Sequence, residues 1–219
     1  MAKYRIIFFM ILFIASCMGV YAIVEPKDFD LIGKTIYIDP GHGGRDNGTS
    51  YQDILEKDVN LSISLKLRNA LLEKGAIVLM TRSDDSDLSK EYDSSKKKGD
   101  LNRRIKLIED SHANMYISIH TNWYEKSQYS GIDILYNEIN KNNVILANYL
   151  YEGFENDNMQ VREIKKAYDY IYKNINNVGL LIECGFLSND NDRYLLQQED
   201  YQQKLVNSIV KSVINYFNN

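Results

Sequence analysis

The chain has little cysteine: two residues in 219, Cys17 in an N-terminal apolar stretch and Cys184 near the C-terminus. With one cysteine in each region, no disulfide framework can form inside the folded part. Cys184, beside a buried apolar run, reads as a small core residue rather than a nucleophile. There is also no basic excess. The net charge is −4 with 26% charged residues, which leaves no electrostatic footprint for nucleic acid. Neither an internal repeat nor a low-complexity tract is present, so solenoids and arrays are excluded. What remains is the composition of an ordinary globular domain.

Residues 1–26 stand apart. Lys3 and Arg5 precede an apolar run from Ile6 to Val24 that stops at Glu25-Pro26. At about 1.5 Å per residue, such a run approaches the thickness of a bilayer core. The basic end belongs in the cytoplasm. Three fates are compatible with the sequence: an uncleaved anchor, cleavage after Val20-Tyr21-Ala22, or lipidation of Cys17 in Ile14-Ala15-Ser16-Cys17. Continued apolarity past Cys17 favours the anchor. Each fate exports residues 27–219 to the outer face of the cytoplasmic membrane. Those residues suffice for one domain and are too few for two.

Within that domain, Ile36-Tyr37-Ile38 reads as a short buried strand ending at Asp39-Pro40. The turn that follows holds His42 between Gly41 and Gly43-Gly44, presented rather than packed. After a polar loop, Val59, Ile63, Leu67 and Leu71 mark an amphipathic helix closed by Gly75. Ala76–Thr81 is almost wholly apolar, as a strand covered on both faces should be. Residues 83–100, with the Lys96-Lys97-Lys98 run, read as a surface loop. A helix is expected over about 100–110, and a strand over 115–118 that enters Ile119-His120-Thr121-Asn122. Further strands are expected at 132–136, near 168–172 and at 180–182, the last ending in Glu183. Helices are expected near 141–156 and over about 199–217. The pattern implies a single three-layer α/β domain, a mostly parallel sheet of five or six strands with helices on both faces.

Four polar groups sit where apolar elements begin or end: His42, Glu56, His120 and Glu183. A carboxylate that ends a buried Leu-Leu-Ile run is costly unless it is paired or near a metal. Two histidines and one carboxylate are a recurring zinc set for hydrolases. A further carboxylate can then move the protons.

DPGHGG, LEKDVNLSISLKLRNALLEKGAIVLMTR, the LNRR…AN…YISIHTN segment and LIECGFLSN together resemble the zinc-dependent N-acetylmuramoyl-L-alanine amidases of type 3, over about residues 34–218. The resemblance implies one Zn2+ per chain on His42, Glu56 and His120, with Glu183 as the catalytic glutamate. It implies a structural or substrate-positioning role for Arg82, Arg104 and Asn122. Trp123, where the family commonly has alanine, is a departure that bears on the substrate groove. The Asn-Val-Gly at 177–179, where proline is common, bears only on local geometry. The N-terminal segment, the lysine-bearing loop and the absence of wall-binding repeats are most similar to the germination-specific amidases of spore cortex. These strip the peptide from muramic acid before muramic-δ-lactam forms. The substrate implied is peptidoglycan, the membrane contact is the N-terminal segment, and an activating protein partner is known to the family. A vegetative amidase of cell separation and a non-catalytic wall-binding module are the alternatives. The presence of all four residues speaks against the second.

Overall fold

The structure, a computed structural model, describes residues 28–167 and 174–219. The anchor reading of residues 1–26 and the strand expected near 168–172 lie outside these. Among the described residues no helix is long and apolar enough to cross a membrane.

The chain runs β1 (Thr35–Pro40), β2 (Ser50–Tyr51), β3 (Ile54–Leu55), α1 (Glu56–Glu73), β4 (Ile77–Met80), α2 (Lys96–Asp110), β5 (Met115–Asn122) and β6 (Ile132–Tyr136). It continues through α3 (Asn142–Asn156), β7 (Val161–Lys166), β8 (Gly179–Phe186), α4 (Asp190–Leu196) and α5 (Glu199–Asn218). Six strands form one sheet in the order β4-β1-β5-β8-β6-β7, and β2 and β3 make a separate small hairpin. All neighbours in the large sheet are parallel except β6 and β8. This is the single, mostly parallel α/β domain that the sequence implies.

Side-chain alternation divides the core. Ile36 and Ile38 of β1 join Met115, Ile117 and Ile119 of β5 against α1, α3 and α5. Tyr37, Tyr116 and Leu181 point the other way, toward Ile108 of α2. Helices therefore cover both faces, with α1, α3, α5 and the end of α4 against one large core and α2 against the smaller one. Gly75, at φ 86°, follows the Lys74 cap of α1, and its N–H donates to the Leu72 carbonyl at 3.0 Å. That left-handed residue ends the helix as the sequence indicates.

Three expectations are corrected. β4 is the edge of the sheet, not a strand covered on both faces: Ile77 is 56% and Leu79 38% exposed. Helix α2 begins at Lys96 rather than Asp100, because the Ser95 hydroxyl caps it by accepting from the Lys98 N–H. The lysine run is thus the first turn of a helix. A strand not foreseen, β7, lies at the opposite edge with the sequence VREIKK, the charged composition that discourages further strand pairing.

Candidate active site

Strands β1, β5 and β8 lie side by side, and their carboxyl ends deliver His42, His120 and Glu183 to one edge of the sheet. The register places His120 beside Glu183 on β8, and Glu183 opposite Asp133 on β6. Glu56 opens α1 immediately after the small hairpin. Its backbone N–H donates to the Thr49 carbonyl at 2.9 Å and that of Lys57 to the Asn47 carbonyl at 3.3 Å. A carboxylate in this first turn is favoured by the helix dipole.

The donors converge. His42 Nε2 lies 3.2 Å and His120 Nδ1 3.1 Å from the same Glu56 oxygen, Oε1. The two imidazoles meet edge-on with centroids 5.0 Å apart. One donor atom from each of His42, Glu56 and His120 falls within 4.8 Å of the others. Four ligands arranged tetrahedrally about zinc at about 2.0–2.1 Å are separated by roughly 3.3 Å, so the spacing fits such an ion. The chemistry of the set, two imidazoles and a carboxylate, fits it too.

The surroundings fix each donor. Glu56 Oε2 accepts from the Thr49 N–H at 2.8 Å and the Thr49 hydroxyl at 3.1 Å. Oε1 accepts from Asn60 Nδ2 and the Thr121 N–H, both at 3.3 Å. Burial pushes the Glu56 carboxyl up, but the hydrogen bonds from His120 and His42 outweigh it and hold the group well below the carboxylate range. Burial lowers the His42 imidazole, yet its bonds to Asp46 and Glu56 prevail and lift it to about 9. The same bond from His42 pulls Asp46 down to about 2. Asp46 Oδ2 lies 3.0 Å from His42 Nδ1, which leaves Nε2 turned toward Glu56.

His42 itself has φ 59°, a left-handed conformation that costs a side chain-bearing residue roughly 1–2 kcal/mol. Its neighbours hold it there. A Cβ on Gly41 would lie 2.3 Å from the His120 ring, and one on Gly48 would lie 2.5 Å from Glu56 Oε2. Only glycine admits these approaches.

Arg82 and Arg104 are 4% and 2% exposed, and both turn inward to the backbone of this loop. Arg104 donates to the carbonyls of Pro40 at 2.7 Å and His42 at 2.6 Å, and to Asp39 Oδ1 at 2.8 Å. Arg82 donates to the carbonyls of Pro40 at 3.1 Å, Gly41 at 2.9 Å and Lys57 at 2.8 Å. Of the two roles the sequence leaves open for them, these contacts fit the structural one. Asn122 lies outside the cluster. Its Oδ1 accepts from the Trp123 N–H at 2.8 Å and its carbonyl from the Leu187 N–H at 2.8 Å. Cys184 is fully buried, and burial pushes its thiol up, consistent with an inert core residue.

Sequence reasoning passes over Asp39, Asp46, Thr49 and Asn60. Asp46 carries a faint signal, being four residues after His42. Asp39 has a stronger one, an acid ending a buried strand. Burial raises its carboxyl, but Arg104, with hydrogen bonds from Thr81 and Ser118, brings it below its ordinary 3.8.

The sequence profile of a family described as N-acetylmuramoyl-L-alanine amidase matches residues 36–215. The germination-specific N-acetylmuramoyl-L-alanine amidase of Bacillus subtilis is 40% identical over 200 residues, covering 88% of this chain and 84% of that protein. Among solved structures, the CwlD amidase of Clostridioides difficile, in complex with the GerS lipoprotein, superposes with a TM-score of 0.80 at 37% identity. It covers 85% of this chain and 99% of that one. An N-acetylmuramoyl-L-alanine amidase of Clostridium difficile 630 gives 0.75 at 31% identity, over 85% and 97%.

Proposed function

From the premise that the chain belongs to the N-acetylmuramoyl-L-alanine amidase family, and is a peptidoglycan amidase, we propose that it is zinc-dependent and cuts the amide between the lactyl group of N-acetylmuramic acid and L-Ala. His42, Glu56 and His120 would hold the ion. When bound, zinc supplies an acidified water and polarises the carbonyl under attack. The observation that carries this reading is the meeting of three donor atoms within 4.8 Å at the carboxyl edge of the sheet.

The chain's own groups do the rest. Glu183, beside His120 in register, takes the proton of the attacking water on its carboxylate and returns it to the alanine nitrogen as the C–N bond breaks. Asp46 fixes the His42 tautomer, and Thr49 and Asn60 keep Glu56 oriented and ionised. Arg82 and Arg104 act through the loop, holding His42 in its left-handed conformation.

The biological setting we infer is spore cortex, where removal of side chains precedes muramic-δ-lactam formation. The 40% identity to a germination-specific amidase supports it. We place residues 27–219 outside the cytoplasmic membrane, anchored by residues 6–24. We also infer an activating protein partner, since a similar amidase is found in complex with a lipoprotein. The test is mass spectrometry of muropeptides digested by the full-length chain in detergent, with zinc and with a chelator. Zinc-dependent release of peptides beginning with L-Ala, together with peptide-free glycan, is expected. Equal release in the presence of the chelator would overturn the zinc assignment.

A further inference from the structure

Strand β5 does not end at His120. It runs on through Thr121-Asn122 and brings two large aromatic residues to the surface, Trp123 at 43% and Tyr124 at 50% exposure. Each such ring can remove on the order of 150–250 Å² from water when covered. Two of them adjoining a reaction centre are therefore a surface that gains by being covered.

The ledge is braced. Asn122 accepts from the Trp123 N–H at 2.8 Å and ties the strand to β8 through the Leu187 N–H at 2.8 Å. The Tyr124 N–H donates to Ser188 Oγ at 3.1 Å. Its ring stands edge-on to Tyr129 with centroids 4.7 Å apart. The Arg162 guanidinium in turn lies 5.0 Å from the ring centroids of both Tyr129 and Phe186. With the Trp123 backbone and the Tyr124 ring held in this way, a ligand covering the ledge has less of the chain to order.

The loops on the other side of the centre, above β4 and β1, are of opposite character. A cavity of about 300 Å³ there is lined by Arg45, Asp46, Asp87, Ser89, Lys96 and Lys97. The bond cut in the proposed reaction joins a sugar to a peptide, so the two halves of the substrate extend from the centre in different directions. The stem peptide carries ionised groups and suits charged walls. A pyranose ring presents a flat C–H face and suits an aromatic one.

We propose that Trp123, with Tyr124 beside it, is a sugar subsite, the indole stacking on a pyranose of the glycan strand that carries the scissile side chain. The inference rests on the amidase reading and adds to it the residue that grips the glycan.

Trp123 is the one tryptophan of the chain, so indole emission reports on this position alone. The full-length protein in detergent is titrated with a peptide-free oligosaccharide of alternating N-acetylglucosamine and N-acetylmuramic acid. A saturable change in emission is expected. Trp123→Ala should raise KM for glycan-linked stem peptides about tenfold with kcat nearly unchanged, and Trp123→Phe should restore most of the loss. Unchanged emission, or an unchanged KM in the alanine variant, would overturn the subsite while zinc-dependent turnover persists. An emission change produced by free stem peptide and not by glycan would assign the ledge to the other half of the substrate and equally refute it. Absence of hydrolysis by the unaltered chain with zinc bound would instead point to the missing activating partner, and the indole titration, which needs no turnover, would then decide the subsite.

Discussion

Two buried carboxylates serve the same turn in opposite ways. Asp39, at the end of β1, is closed: it accepts from Thr81 Oγ1 at 2.7 Å, Ser118 Oγ at 2.8 Å and Arg104 Nη1 at 2.8 Å, donors from three different segments. Arg104 has its remaining bonds inside the chain, to Asp100, Pro40 and His42. Glu56 is anchored on one oxygen by Thr49 but shows the other to two half-buried imidazoles. Those partners can exchange a proton for a cation, and a guanidinium cannot. A polar cluster whose donors are all consumed by the fold is a fastening. One whose ligand atoms converge on a shared point is a receptacle. Burial and charge are similar in both, so it is the direction of the lone pairs that separates the roles.

This contrast breaks if substitutions in the two clusters have the same phenotype. The largest expected effect is on turnover: Glu183→Gln should lower kcat on the order of 10²–10⁴-fold while metal content and unfolding midpoint stay unchanged. Hydrolysis at the normal rate would remove Glu183 from its assigned role. On the closed side, Arg104→Met leaves the Asp39 charge buried and should lower unfolding stability by about 3–5 kcal/mol, read from urea denaturation of metal-free protein. A loss of activity with no loss of stability would show that Arg104 belongs to the open cluster after all.

Smaller effects sharpen the distinction. Asp46→Ala frees His42 Nδ1 and should weaken zinc affinity about 10–100-fold, measured by competition with a chelator. It should lower the midpoint of the metal-free form much less than Arg104→Met does, because the Asp46 carboxylate is partly exposed and screened. The smallest effect concerns acid. The folded carboxyl of Asp39 sits below 3.8, so its contribution is complete above that pH and is lost as pH falls through the lower folded value. Asp39→Asn should therefore flatten the acid limb of the stability profile. An unchanged limb would mean that other carboxylates govern it.

Much of this was legible in the sequence. The apolar period of α1, the glycine at its end and the fourfold spacing of α5 specify local structure without reference to distant residues. The glycines around His42 signalled an approach that the structure shows, Gly41 against the His120 ring. The edges of the sheet were less legible. β4 is as apolar as a central strand, and nothing in Ile77–Met80 says that only one neighbour will pair with it. β7 is so charged that its alternation is faint, and α4, seven residues long, is too short for a helical period. Within the site, the four end-of-element residues could be named because each is polar in an apolar context. The closed cluster could not be assembled, since Asp39 and Arg104 are 65 positions apart and each is unremarkable alone.

The distance along the chain between the converging donors has a kinetic consequence. His120 meets Glu56 across 64 positions, and the contact requires β5 to have paired with β1. In an unfolded or newly made chain only His42 and Glu56 are near neighbours, and two ligands make a poor site. Cation capture at this site would thus be a late event, gated by a non-local strand pairing that is intrinsically slow to form. An ion that binds only the completed sheet then pulls the folding equilibrium toward it. On the proposed reading, the arrival of the metal would act as a latch that closes once the last distant segments have found their places.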